Sequence, residues 1–432
     1  MLIYNAQIVL TNQIIKGFLE IENDKIKTIA SGSPEKISPT DINANNSYLL
    51  PGFIDVHTNG ISGYDVTNGF YDIQKKEFDN SYDAYCEKFE SVIKAYIQSG
   101  STTFFLSSVA APVELLCDSF KHVGEYIKNS SSILSTEALG GLYIEGCYMN
   151  HPDFRGAHNP EYFINPSIES FKKFQDLANG LIKIVNVVPE WGDEAYSLIE
   201  YLNTNDIVCA LGHSGAEGIQ YQKAVDKGTK LAIHFFNGPV RSSYKPFNNM
   251  GAFEYVLRDD RVYAEIIPDG YHVDKSYLLD LIKRKGYDKI LITTDSMFTT
   301  KFDGIKNFTF GGVDGMVSDN NEYMYIKERP HALLGSILTM DKAFANILNW
   351  LTKDIEGVWN KIHKGLKLED AIIETSKMCS FVPAELLKKH LPGKGQIAKG
   401  YDADLLICDI DNNGNNYDFN INKILLKGKP VL

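Results

Sequence analysis

Four ionisable side chains stand at or near the ends of four apolar runs. They are Glu145 in GLYIEG, His213 in IVCALGHSG, His234 in KLAIHFFNG and Asp295 in ILITTDS. Two imidazoles and a carboxylate suffice to hold one divalent ion while leaving a coordination position open to water. An aspartate beside that water could take its proton. Together these groups have the makings of metal-dependent hydrolysis. Taken singly, each histidine is as readily a hydrogen-bonded structural group. Glu145 alone stands out more, because a buried carboxylate without a partner is costly. What raises the set above its members is that all four lie toward the same end of their runs.

Something must bring these ends together. Residues 49–57, 102–109, 141–146, 182–190, 207–214, 230–237, 262–270 and 290–296 each read as a buried strand. Most gaps between them carry helical periodicity, as at 84–99, 168–178, 195–203 and 275–285. Alternation of helices with eight continuous apolar strands predicts an α/β fold, a closed (β/α)8 TIM-type barrel. Polar residues at the C-terminal strand ends then face one mouth. An open doubly wound sheet is the alternative, but the glycine-rich turn it would carry after the first strand is missing.

Residues 1–49 read as short strands separated by turns, and 394–432 look similar. The two segments are expected to pair into one small β-sandwich domain, with 50–393 as the barrel domain. The polar, glycine-rich stretch 297–333 reads as a long active-site loop or a hairpin excursion. Segments 334–350 and 366–390 read as amphipathic helices, and the Asn-rich run 411–422 as an exposed turn region.

A net charge of −12 argues against a nucleic-acid partner. The six cysteines form no CxxC pair and read as reduced thiols; Cys147, two residues after Glu145, reads as packing. The N-terminus alternates and does not resemble a signal peptide. No apolar run approaches the ~20 residues of a membrane span. The expectation is a soluble, cytoplasmic protein with no membrane partner.

The segments PGFIDVHTNG, YIEG, RGAHNPEYF, LGHS, HFFN, RVYAEIIPDGYHV, TTDSMF, LLGSILTMDKA and GQIAKGYDADLL resemble the landmarks of the amidohydrolase superfamily. RGAHNPEY and DGYHV narrow the resemblance to its N-acetylglucosamine-6-phosphate deacetylase branch, and it spans nearly the whole chain. The resemblance implies that Glu145, His213 and His234 hold one divalent metal per chain. Zn2+ is the first expectation, with Fe2+, Mn2+ and Co2+ as alternatives for this ligand type. It implies that Asp295 is the catalytic acid–base group and that His272 polarises the amide carbonyl. Asn237 and the backbone at Gly238 match a phosphate-contacting turn. His158 and Asn159 contact sugar hydroxyls or order the site, although Asn-Pro also favours a plain turn.

Two departures from the family pattern matter. His57-Thr58-Asn59 replaces a pair of metal-binding histidines, which leaves His57 as a weak second-site ligand or a hydrogen-bonded residue in the mouth. PVRSSYKPFNNMGA replaces an arginine-bearing segment, so Arg241 and Lys245 are the candidates for phosphate contact, against surface salt-bridge roles. The implied activity is hydrolysis of the acetamide of N-acetylglucosamine 6-phosphate to glucosamine 6-phosphate and acetate, in a homodimer. The alternatives are deacylation of a related N-acyl amino sugar, such as the galactosamine epimer, and a catalytically inert barrel that binds a ligand.

Overall fold

The computed structural model describes residues 1–237, 250–356 and 362–431. Eight parallel strands run in chain order: Phe53–Thr58, Ser101–Ser108, Leu139–Ile144, Ile182–Asn186, Val208–Leu211, Thr229–Ala232, Tyr263–Ile266 and Ile290–Ile292. Each expected run overlaps one of them. Because both faces are buried, the runs are continuously apolar rather than alternating. Ile54, Val56, Phe105, Tyr143, Ile184, Ala210, Leu231 and Leu291 fill the inside. Their chain neighbours, such as Phe53, Leu106, Leu142 and Ile292, pack outward against the helices.

Side chains help join the eighth strand to the first. Asp55 accepts hydrogen bonds from Thr294 Oγ1 at 2.6 Å, Thr293 Oγ1 at 3.0 Å and the Thr294 amide at 3.2 Å. One residue further, the Asp295 amide donates to the His57 carbonyl at 2.8 Å. The lower end is closed by Val382, Leu386, Leu387 and Leu391, and Ser380 Oγ donates to the carbonyl of Gly52 just before the first strand.

The chain termini share one eight-stranded sheet. Tyr48–Pro51 lies parallel to Leu2–Val9 and antiparallel to Leu405–Asn412, which ties the first fifty residues to the last thirty. The sheet buries Ile3, Ile8, Leu19, Leu49, Leu405 and Leu425 as its own core.

Four stretches refine or differ from the sequence reading. Within 297–333 lies a four-stranded antiparallel sheet, Asn307–Phe310, Val313–Val317, Met324–Ile326 and Arg329–Leu333. A second small sheet spans Gly60–Asp79, where no element was expected. The two excursions share a core of Tyr71, Phe298, Phe308, Phe310 and Met324. The Asn-rich run is mostly strand, because Leu405–Asn412 and Tyr417–Leu426 pair as a hairpin with Asn412 opposite Tyr417. Phe419 secures it by packing its ring, tilted by 33°, against Phe344 of the helix Met340–Leu351, with centroids 4.5 Å apart. The segment 366–390 is two helices, Leu368–Ser376 and Val382–Leu386, joined by a π-turn. Among the described residues, no helix is long and apolar enough to cross a membrane. All six cysteines are free.

Candidate metal centre and active site

Glu145 directly follows the third strand, His213 and His234 stand two residues beyond the fifth and sixth, and Asp295 three beyond the eighth. Barrel closure brings them into one mouth. Glu145 Oε1 lies 3.2 Å from His213 Nε2 and 3.0 Å from His234 Nε2, and the two imidazole nitrogens are 3.1 Å apart. Ligand atoms about 2.0 Å from a common ion span edges of this size, roughly 3.3 Å for a tetrahedron. The protonation pattern agrees. His213 Nδ1 donates to the Phe154 carbonyl at 3.2 Å, so in the neutral ring Nε2 carries a lone pair aimed at a carboxylate oxygen. Two acceptors facing each other at 3.2 Å, both buried, call for a cation between them. The residues therefore fit a divalent ion.

The backbone is forced to deliver these groups. His213, His234 and Asp295 have φ of 53°, 22° and 49°, in the left-handed region that side chains other than glycine seldom adopt. Each such residue costs on the order of 1–3 kcal/mol and persists where surrounding structure over-determines it. Gly156, at φ 59°, lies against the His213 ring. A Cβ there would stand 2.5 Å from His213 Cε1.

Asp295 is 7 % exposed, and its Oδ1 accepts from Asn59 Nδ2 at 2.7 Å. His272 lies in the loop after the seventh strand and donates from Nδ1 to Asp269 Oδ2 at 2.6 Å. Burial works against the charged imidazole, but the Asp269 carboxylate outweighs it, with help from Asp295, and His272 titrates above its ordinary value. His57, fully buried, donates from Nδ1 to Glu265 Oε2 at 3.0 Å. Its Nε2 faces Glu145 Oε2 at 3.4 Å and Asp295 Oδ1 at 3.7 Å.

Two residues of the RGAHNPEY loop take different parts. His158 Nδ1 accepts from the Ala110 amide at 3.1 Å, which turns its Nε2–H toward Glu145 Oε1, 3.6 Å away. It faces the ligand carboxylate, consistent with ordering the site. Asn159 caps the single turn Pro160–Tyr162 by accepting from the Glu161 amide, as the turn reading expected, and also lines the cavity.

The mouth opens into a cavity of about 700 Å³ that Glu145, His213, His234, His272, Asp295 and Asn237 all line. Gly238, Arg241 and Lys245 lie outside the described residues. Three cationic or basic side chains not singled out from sequence also line it: Arg155, Arg329 and His331. Arg329 and His331 come from the excursion sheet, on the strand Arg329–Leu333. Among the described residues, no hydrogen-bond or ion-pair partner is found for the side chain of any of the three. The signal that could have found Arg329 and His331 is basic residues in a loop-like segment after the Asp295 run, and for Arg155 its place at the head of RGAHNPEY.

A barrel mouth holding a buried Glu–His–His triangle beside an aspartate defines a metal-dependent hydrolase. The chain belongs to the amidohydrolase family, whose family model matches residues 48–431, and a divalent metal goes with that family. An N-acetylglucosamine-6-phosphate deacetylase of Bacillus subtilis (strain 168) is 27% identical over 95% of this chain and 93% of its own length. An N-acetylgalactosamine-6-phosphate deacetylase of Escherichia coli O157:H7 is 26% identical over 74% of this chain and 77% of its own. The crystal structure of N-acetylglucosamine-6-phosphate deacetylase from Pasteurella multocida superposes with a TM-score of 0.79 at 25% identity, covering 99% of this chain and 98% of that one.

Proposed function

We propose that this chain hydrolyses the acetamide of N-acetylglucosamine 6-phosphate, releasing acetate and glucosamine 6-phosphate. The observation that carries the reading is the meeting of His213 Nε2, His234 Nε2 and Glu145 Oε1 within 3.2 Å of one another, in the same cavity as Asp295. Glu145, His213 and His234 would hold the ion. Imidazole and carboxylate suit Zn2+ best, with Fe2+, Mn2+ and Co2+ as lesser fits. A divalent ion bound there supplies Lewis acidity, lowering the pKa of water and polarising the amide oxygen.

The remaining work falls to the chain's own side chains. Asp295, held by Asn59, accepts the proton of the attacking water and passes it to the leaving nitrogen. His272, whose protonated form Asp269 favours, donates from Nδ1 to that carboxylate and as the imidazolium presents its Nε2–H to the amide oxygen as negative charge builds there, a role worth roughly 3 kcal/mol for a well-placed donor. Asn237 and Gly238, with Arg241 and Lys245, are candidates for phosphate contact. Arg155, Arg329 and His331 add positive groups to the cavity of a chain whose net charge is −12. A homodimer in the cytoplasm completes the reading.

The galactosamine epimer is a second reading, favoured by the comparable identity of the Escherichia coli relative. Acetate release from both 6-phosphates, and from both unphosphorylated sugars, separates the two. Faster turnover of the galactosamine epimer would replace the first reading with the second.

A further inference from the structure

Glu265 is a fully buried acid that the mechanism above leaves without a task. It stands on the seventh strand, Tyr263–Ile266, two residues after Tyr263, which packs against the cluster inside the barrel. Strand alternation therefore turns Glu265 inward as well. Its Oε2 accepts two hydrogen bonds, from His57 Nδ1 at 3.0 Å and from the backbone amide of His234 at 3.1 Å. Its Oε1 is buried with no partner, as is His57 Nε2.

A carboxylate inside an apolar barrel is destabilising by several kcal/mol unless its charge is compensated, and packing alone would favour an apolar side chain here. What this carboxylate does instead is fix two neighbours of the metal centre. With Nδ1–H committed to Glu265, the His57 ring is set in one tautomer, and Nε2 is aimed between Glu145 Oε2 and Asp295 Oδ1. His57, Glu145 and His234 offer ligand atoms that all lie within 4.8 Å of one another. The same oxygen pins the His234 main chain where its φ is 22°.

We propose that Glu265 is the positioning residue of the metal centre: one carboxylate oxygen orients the His57 ring as a further ligand and locks the backbone that presents His234. This rests on the metal reading above but not on the identity of the substrate. It also gives His57 a role that does not need a second histidine at position 59.

The test is metal affinity, measured by chelator competition with Zn2+ on the full chain, for wild type, Glu265→Gln, His57→Asn and the double variant. Gln keeps an acceptor oxygen but loses the charge. Loss of an outer-shell partner of this kind typically weakens metal binding about 10–100-fold, and the same is expected of Glu265→Gln. The double variant should fall short of the product of the two single losses, because both changes act through one ring. Unchanged affinity in Glu265→Gln, or losses that multiply fully, would overturn the proposal. Should that variant fail to fold, anomalous diffraction from zinc-loaded wild type decides. Zinc bonded to His57 Nε2 with Nδ1 still on Glu265 supports it, and a His57 ring turned away from the ion overturns it. A wild type that takes up no ion would remove the metal reading itself, a separate and recognisable failure.

Discussion

Asn59 Nδ2 donates a 2.7 Å hydrogen bond to Asp295 Oδ1, between two residues 236 apart in sequence and both buried in the barrel mouth. The position where the family pattern places a second histidine thus carries an amide that holds the candidate proton carrier. One oxygen of Asp295 is thereby held, and the other is left for water and amine. Asp295→Asn should lower kcat by about 10²–10⁴-fold, the usual worth of a general acid–base group, with metal content unchanged. Asn59→Ala should lower kcat more modestly, about 10-fold, with little change in KM, because only orientation is lost. Wild-type kcat in Asp295→Asn would remove that residue from the chemistry.

His213→Ala and His234→Ala should each lose both bound metal and activity. The two imidazoles supply two of the three vertices of the ligand triangle, and a site that loses either one is poor. Metal analysis after extensive dialysis checks this. A full complement of ion in either variant contradicts the ligand assignment.

Arg329 should read the charged end of the substrate. It lines the cavity and has no partner among the described residues. A hydrogen bond to a charged group is worth about 1.5–3 kcal/mol, so Arg329→Ala should lower kcat/KM for the phosphorylated sugar by roughly 10–100-fold. The unphosphorylated sugar should be nearly unaffected. An equal loss on both sugars would assign Arg329 a structural role instead.

Asp65 should make stability depend on pH away from the metal. Burial pushes its carboxyl up to about 7, against three hydrogen bonds from Thr67 and Asn68. The folded state therefore holds this proton more tightly than the unfolded chain, whose Asp titrates near ~3.9. The favourable contribution is complete below about pH 4 and is lost as pH rises through about 7. Asp65→Asn keeps the acceptor oxygen and is neutral throughout. Between about pH 5 and about pH 8, the denaturant midpoint of wild type should fall relative to that of Asp65→Asn. Parallel curves would show that Asp65 is ionised in the folded protein across this range.

The barrel was legible because its strands are buried on both faces and its outer helices on one. Each leaves a pattern of apolar residues that turn chemistry does not mask. Glu145, His213, His234 and Asp295 were legible because polar residues follow directly on those runs. The excursion sheets were legible only in part, as the loop-or-hairpin reading of 297–333. Their strands are two to five residues long, and their shared aromatic core, Tyr71 with Phe298 and Phe308, joins segments more than 200 residues apart. Arg329 and His331 were hidden with them. Glu265 was in plain view as the one acid inside VYAEII, but its partners His57 and His234 come from other strands. In the sequence Asn59 shows only as the replacement of a metal-binding histidine, since a clamp on Asp295 requires the first and eighth strands to be neighbours.

Acetate release from N-acetylglucosamine 6-phosphate, measured on protein of known metal content with the unphosphorylated sugar alongside, tests the central claim most directly. Rapid release from the phosphorylated sugar, abolished by a chelator and restored by Zn2+, is the expected result. No release from protein carrying about one ion per chain, the ratio a single mononuclear site holds, would contradict the proposed substrate while leaving the metal centre intact.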